Sequence, residues 1–235
     1  LGDVYKRQVL MEKEETCGGP PQEEREKTMK VVAFNGSPRK GGNTHQCIEL
    51  VLEELRREGI ETENIQIGAH PVRGCVACYQ CLSRGDNRCA QKDDTVNEWI
   101  GKMVEADGIL LASPVYYGGI AGTMKCFLDR AFLSAGTQMR LKVGASLVTL
   151  RRSGALETYN QLNQYLNSME MVIPTSNYWG AAHGLDIGEV MRDPEGIEIM
   201  RKLGRNMAWL LKVMEAGKDV AKPAGGPKTM TNFIR

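Results

Sequence analysis

Two stretches of this chain hold residue types at spacings that can do chemistry. The first is Gly36-Ser37-Pro38-Arg39-Lys40-Gly41-Gly42-Asn43-Thr44, which follows a short apolar run at residues 31–34 and precedes an amphipathic helix. A loop between a strand and a helix N-terminus offers backbone N–H groups, hydroxyls and a positive dipole end to one phosphate. Ser37, Thr44, the Asn43 amide and the Arg39 guanidinium suit a terminal phosphate monoester. Gly42, with Gly36 and Gly41, lets the backbone come close. The stretch is neither G-x-x-x-x-G-K-[ST] nor G-x-G-x-x-G, so it matches neither the nucleoside-triphosphate loop nor the dinucleotide fingerprint. Ordinary strand–helix turns use the same residue types, and the loop alone leaves both readings open.

The second stretch is Cys75-x2-Cys78-x2-Cys81-x7-Cys89. Three thiolates at successive x2 spacing can surround one small volume, and the fourth can close it from beyond the turn Gly85-Asp86-Asn87. The spacing suits a cubane iron–sulfur cluster better than structural zinc, whose ligands usually come as two separated pairs. A thiol switch, a zinc knot and a packed loop remain as alternatives. Cys47 and Cys126 fall on helical faces and read as small core residues.

Alternating periodicities position these stretches. Strands are expected at residues 31–35, 61–67, 108–112, 143–150 and 171–174. Helices are expected from Asn43 or Thr44 to Gly59, from an Asp94 cap through Val104, and near residues 121–133, 156–169 and 194–214. Residues 108–112 are continuously apolar, as in a parallel strand buried on both faces. The last helix carries a stripe of Ile197, Met200, Leu203, Met207, Leu210 and Met214, read as core or subunit surface. Strands alternating with helices imply an α/β, doubly wound parallel sheet. Residues 68–93 form a cysteine-rich insertion in a domain spanning 29–216.

At 235 residues the chain can bury a substantial core, and 30 Lys and Arg against 29 Asp and Glu argue against a general nucleic-acid or membrane-surface role. No apolar run reaches membrane-span length, and the charged N-terminus lacks the apolar segment of a signal peptide. A cytoplasmic protein is expected, with its seven cysteines reduced or metal-bound. Residues 1–28 read as a disordered leader that includes Cys17. Its first eight residues resemble the translation of a transposon end used in sequencing libraries, and Met29 reads as a natural start. Residues 217–235 read as a loose tail in which Phe233-Ile234 could dock on a partner.

From about Met29 to about Glu215 the chain resembles the flavodoxin-like NAD(P)H-dependent FMN reductases, and more closely their iron–sulfur flavoprotein branch. The glycine loop, Gly74–Asp94, Ser113-Pro114-Val115-Tyr116-Tyr117-Gly118 and Asn177-Tyr178-Trp179-Gly180-Ala181-Ala182-His183-Gly184 carry that resemblance. It implies five parallel strands in the order 2-1-3-4-5, with FMN at the crevice between strands one and three. In such a fold Ser37, Arg39, Gly42, Asn43 and Thr44 would hold the phosphate. Pro114, Val115, Tyr116, Tyr117 and Gly118 would lie along the flavin ring. Arg152, Ser153 and Gly154 follow strand four; Arg152 could face the flavin's N1–C2=O edge, the phosphate of NADPH, or solvent. His183 has a structural reading, and two functional ones as a proton donor or a contact to a neighbouring subunit's flavin.

The resemblance implies hydride transfer from NAD(P)H to FMN and onward transfer to a small acceptor, with no covalent nucleophile or essential acid–base residue. One alternative is an electron carrier, with a 4Fe-4S cluster on Cys75, Cys78, Cys81 and Cys89 and a ferredoxin-like partner. Another is a redox or flavin-sensing module without turnover. A homodimer or homotetramer is expected.

Overall fold

The computed structural model describes residues 28–226 and residue 229. The expected leader apart from Thr28, its Cys17 and the Phe233-Ile234 pair lie outside the described residues. Five parallel strands run in the order β2 (Glu61–Gln66), β1 (Lys30–Asn35), β3 (Gly108–Tyr116), β5 (Val143–Leu150) and β6 (Ala181–His183). This is the order that the resemblance implied. A sixth, two-residue strand, β4 (Gly119–Ile120), pairs antiparallel with the end of β3.

Successive side chains of a strand face opposite sides, and both sides here are apolar. Val32, Phe34, Ile109 and Leu111 pack beneath α3 (Val96–Glu105), α4 (Gly122–Ala135) and α5 (Ala155–Ser168). Val31, Ala33, Leu110 and Leu147 pack beneath α1 (Asn43–Arg57) and α6 (Pro194–Ala216). Met200, Leu203 and Met207 are buried in the second layer, so the methionine–leucine stripe is mainly core. Asp193 caps α6 by accepting from the Gly196 N–H at 2.9 Å, and Pro194 fills the first turn. A Cβ on Gly204 would stand 2.6 Å from the Val51 carbonyl, so glycine lets α6 approach α1. Glu54 of α1 is buried there against Arg57, Arg201 and Arg205.

The fifth parallel strand is not residues 171–174. Only Val172 bridges β5, giving its N–H to the Lys142 carbonyl at 2.9 Å and accepting from Gly144 at 3.0 Å. Pro174 has no N–H with which to continue the ladder. The chain leaves the sheet and rejoins it where Val148 donates to the Gly180 carbonyl at 2.8 Å. β6 then pairs with Val148–Leu150. This detour leaves Tyr178 and Trp179 exposed, their ring centroids 4.5 Å apart.

Two expected boundaries also move. β3 continues to Tyr116 instead of ending at Ala112. β1 stops opposite Ala112, so Pro114 sits where β3 keeps a neighbour on only one side. Tyr117 and Gly118, at φ +51° and +73°, form the two-residue turn back into β4, as a type I′ hairpin requires. The cap residue of α3 is Thr95; Asp94 does accept from the Val96 N–H at 3.2 Å, but also pairs with Arg130. Among the described residues no helix is long and apolar enough to cross a membrane.

Candidate functional site

Three strand ends meet at one cleft, lined by Ser37, Arg39, Asn43 and Thr44 after β1, by Pro114, Val115 and Tyr116 of β3, and by Thr149, Leu150 and Arg151 after β5. Gly184 and Leu185, just past β6, close the remaining side. The glycine loop is held from below. Gly36 donates to the Ala112 carbonyl at 2.8 Å, and a Cβ there would stand 2.7 Å from that of Met124. Ser37 N–H donates to Asn35 Oδ1 at 3.0 Å, and the Ser37 hydroxyl accepts from the Arg39 N–H at 3.2 Å. Thr44 and Thr149 share a hydroxyl–hydroxyl bond of 2.6 Å across the cleft floor.

The start of α1 is left open toward this cleft. Gly42 stands at its N-cap, no side chain caps it, and no acidic residue lies in its first turn. Such an end carries unsatisfied N–H groups and partial positive charge. The Asn35 Nδ2 is buried beside it without a hydrogen-bond partner. Ser37 and Thr44 are almost fully buried, and the guanidiniums of Arg39 and Arg151 stand on the walls. These groups fit the phosphate monoester of FMN.

Arg39 Nη1 also donates to the Leu185 carbonyl at 3.0 Å, and Asn43 Oδ1 accepts from Gly188 N–H at 2.9 Å. Both residues therefore hold the 184–188 wall in place as well as lining the cleft. Gly118 and Gly154 bring the β3 hairpin against the loop after β5. Gly154 has φ +88°, and a Cβ on it would stand 2.9 Å from Gly118 Cα and from Val115 Cγ1. Tyr117 projects into solvent at the hairpin tip, while Tyr116 is half-exposed on the cleft wall.

Arg152 and Ser153 are exposed and do not line this cleft; Arg151 does. The Arg-Arg pair carries no periodic cue to which of the two faces inward. Thr149, missed in the sequence, is a hydroxyl at the end of an otherwise apolar strand. His183, expected in a loop after a strand at residues 171–174, is instead the last residue of β6 and lies in the adjoining groove with Arg151 and Arg192. Its ring is 3.4 Å from the Asp193 carboxylate. Burial pushes the Asp193 carboxyl up, but the Gly196 and His183 N–H groups and the His183 ring outweigh it and hold it below its usual range.

The cysteine insertion, with its short helix α2 (Gln80–Arg84), packs against α4. Cys81 and Cys89 are buried, Cys75 and Cys78 exposed. Burial pushes the Cys81 thiol up, and its neighbours Cys89 and Cys78 add to that. These sulfurs therefore lie within electrostatic reach of one another, although among the described residues no three His, Cys, Asp or Glu side chains form a closed ligand set. Four thiols within one loop have the donor chemistry of an iron–sulfur site. Cys47 is core, as expected, and burial drives its thiol far up. Cys126 is only half-buried, and a Cβ on Gly74 would stand 3.7 Å from its sulfur.

Comparison with known proteins agrees with this architecture. The family profile for NADPH-dependent FMN reductase matches residues 29–186. An iron–sulfur flavoprotein of Methanocaldococcus jannaschii is 37% identical over 195 residues, covering 80% of this chain and 100% of that protein. Another, from Methanosarcina thermophila, is 30% identical over 196 residues, covering 81% of this chain and 100% of its own length. Among solved structures, RosB with bound 8-demethyl-8-formylriboflavin-5'-phosphate superposes with a TM-score of 0.63 at 17% identity, over 88% of this chain and 94% of that one. A flavodoxin from the Archaea gives 0.55 at 15% identity, over 78% and 99%. The chain belongs to the NADPH-dependent FMN reductase family, in its iron–sulfur flavoprotein branch, and is an FMN-containing oxidoreductase.

Proposed function

We propose that this oxidoreductase takes electrons from NAD(P)H through FMN and hands them to a small acceptor. FMN, when bound, would supply hydride and single-electron chemistry. The chain's own residues bind, orient and shield. Ser37, Thr44 and the open N-terminus of α1 would hold the phosphate, aided by Arg39. Pro114, Val115 and Tyr116 would run along the ring, with the Gly118–Gly154 contact fixing the distance between its two flanking loops. Arg151, on the wall shared by the cleft and the adjoining groove, would face negative charge from either the flavin or the nicotinamide. The observation that carries this reading is the uncapped, acid-free start of α1 opening onto a cleft built from three strand ends.

A second reading is favoured by the cysteine loop and by relatives named iron–sulfur flavoproteins. In it Cys75, Cys78, Cys81 and Cys89 would bind a 4Fe-4S cluster, and a ferredoxin-like partner would be the correspondent. The six described cysteines are unpaired, which suits a reducing, cytoplasmic setting. Apolar side chains exposed beside the cleft favour a homodimer or homotetramer.

Anaerobic purification followed by an absorption spectrum, with flavin, iron and sulfide counted on one sample, tests both. FMN without iron, bleached promptly by NADPH or NADH, supports the reductase. FMN with about four irons per chain and slow bleaching supports the carrier. Flavin binding without either activity points to a sensing module. No flavin, and no uptake of added FMN, rejects the assignment of residues 37–44.

A further inference from the structure

We propose that Arg130 is a positioning residue for the cysteine loop: it holds Cys89 in place and sets a permanent positive charge on its sulfur. The proposal rests on the reading of that loop as a cluster site. Arg130 lies in α4 among the buried Phe127, Leu128, Ala131 and Phe132, and its side chain is wholly buried. A buried guanidinium is costly unless every N–H finds an acceptor. Here the acceptors come from the insertion.

Arg130 Nε donates to Cys89 Sγ at 3.2 Å. Nη1 donates to the Arg73 carbonyl at 3.2 Å and to Asp94, and Nη2 to the Gln91 carbonyl at 3.2 Å and to Asp94 Oδ1 at 3.0 Å. One side chain thus binds the segment that leads into Cys75, the segment that follows Cys89, and Cys89 itself, one of the four candidate ligands. Asn97 reinforces the same point: its Oδ1 accepts from Cys89 N–H at 2.8 Å and its amide donates to the Cys89 carbonyl at 3.1 Å.

This arrangement assigns the four cysteines different parts. Cys89 is fixed before any cluster is bound, while Cys75 and Cys78 are exposed on a segment where Ala77 and Tyr79 adopt positive φ. A hydrogen bond from a cation to a ligand sulfur favours the more negative, reduced state of a cluster, since hydrogen bonds to the sulfurs and net charge are among the levers on its potential. The same guanidinium would therefore raise the potential of a bound cluster. Arg130 acts through Cys89 and through the loop's ends, without touching the flavin cleft.

The test compares wild type, Arg130→Gln and Arg130→Lys as full-length chains, by hydrogen exchange of the metal-free protein and by redox titration after anaerobic reconstitution with iron and sulfide. In Arg130→Gln, amides in 73–75 and 89–94 are expected to exchange at least about tenfold faster with the flavin cleft unchanged, a modest figure for a lost charged hydrogen bond. Its cluster is expected to titrate at a more negative potential, with Arg130→Lys between the two. Mere loosening of the loop would speed exchange and leave the potential where it was, which overturns the electrostatic part. Wild-type exchange and wild-type potential in both variants overturn the whole proposal. If Arg130→Gln does not fold, Arg130→Lys, which keeps the charge but loses the fork, decides by the same readouts. If the wild type itself takes up no iron, the cluster reading and the electrostatic part fail together, and exchange alone decides whether Arg130 positions Cys89.

Discussion

The hydroxyl of Thr44 sits at the most constrained point of the cleft. It is buried, it shares a 2.6 Å bond with Thr149, and it lies in the first turn of a helix that no side chain caps. Thr44→Val keeps the shape and removes the donor. Its affinity for FMN is expected to fall roughly tenfold or more, because a hydrogen bond to a charged group contributes about 1.5–3 kcal/mol. Quenching of FMN fluorescence on titration measures this, and an unchanged dissociation constant would remove Thr44 from the phosphate site. Most residues of this cleft were legible in the sequence, because phosphate binding needs a few residue types at a fixed place before a helix. Arg151, Thr149 and Leu185 were not, since they reach the cleft only through the packing of β5 and β6. Arg130 was hidden for a different reason: one arginine in an apolar helix face gives no hint of what it will meet.

Elements meet at contacts that single glycines make possible. Gly154→Ala would add a Cβ at φ +88°, 2.9 Å from Gly118 Cα and from Val115 Cγ1. It is expected to destabilise by about 1–3 kcal/mol and to weaken FMN, by pushing the β3 hairpin off the loop after β5. Gly118→Ala also sits at positive φ but meets open space, so it should cost about 1 kcal/mol or less. Melting curves of both variants separate the contact from the backbone effect, and equal losses would reject the contact. The α1–α6 contact makes a pH prediction. Burial raises the Glu54 carboxyl, but Arg205 and Arg201 outweigh it and hold it below its ordinary value. A carboxyl lowered in the folded state stabilises above its unfolded pKa, and that share is lost as pH falls through the folded value. Glu54→Gln should therefore melt lower than wild type at pH 7, with a shallower loss of melting temperature below about pH 4.3, the ordinary Glu value. Parallel pH–melting profiles would show that Glu54 carries none of the acid sensitivity. The five long helices and four of the five parallel strands were readable because their apolar periods are long or continuous, whereas the five-residue helix Gln80–Arg84 in the cysteine insertion, too short to show a period, was not. The fifth was misplaced because Met171–Pro174 has the right composition, while the ladder depends on backbone donors that Pro174 interrupts and Gly180 restores.

At the scale of the molecule, apolar side chains gather where the sheet ends. Tyr116, Tyr178, Trp179, Leu185, Ile187 and Met191 are each about half exposed or more, at the end of β3 or in the segments that flank β6. Single exposed apolar residues are ordinary on a folded chain, whereas a group of them beside a cleft is where a contact between chains is expected. β6 is an edge strand of only three residues, too short to recruit another strand, so side chains would make the contact. Trp179 is the natural probe: it is large, its ring stacks on Tyr178, and the detour that presents it lies outside the sheet ladder. If copies associate through this surface, Trp179→Asp should weaken their association by roughly 2 kcal/mol or more, as for a central aromatic residue of an interface. That is about 30-fold in the dissociation constant. Sedimentation velocity across a concentration series reads it directly, and a variant that assembles like the wild type would move the interface elsewhere. Paired FMN titrations add the functional half. A cleft complete within one chain should bind FMN equally well in the dissociated variant, whereas a cleft finished by its neighbour should lose affinity in step with the assembly.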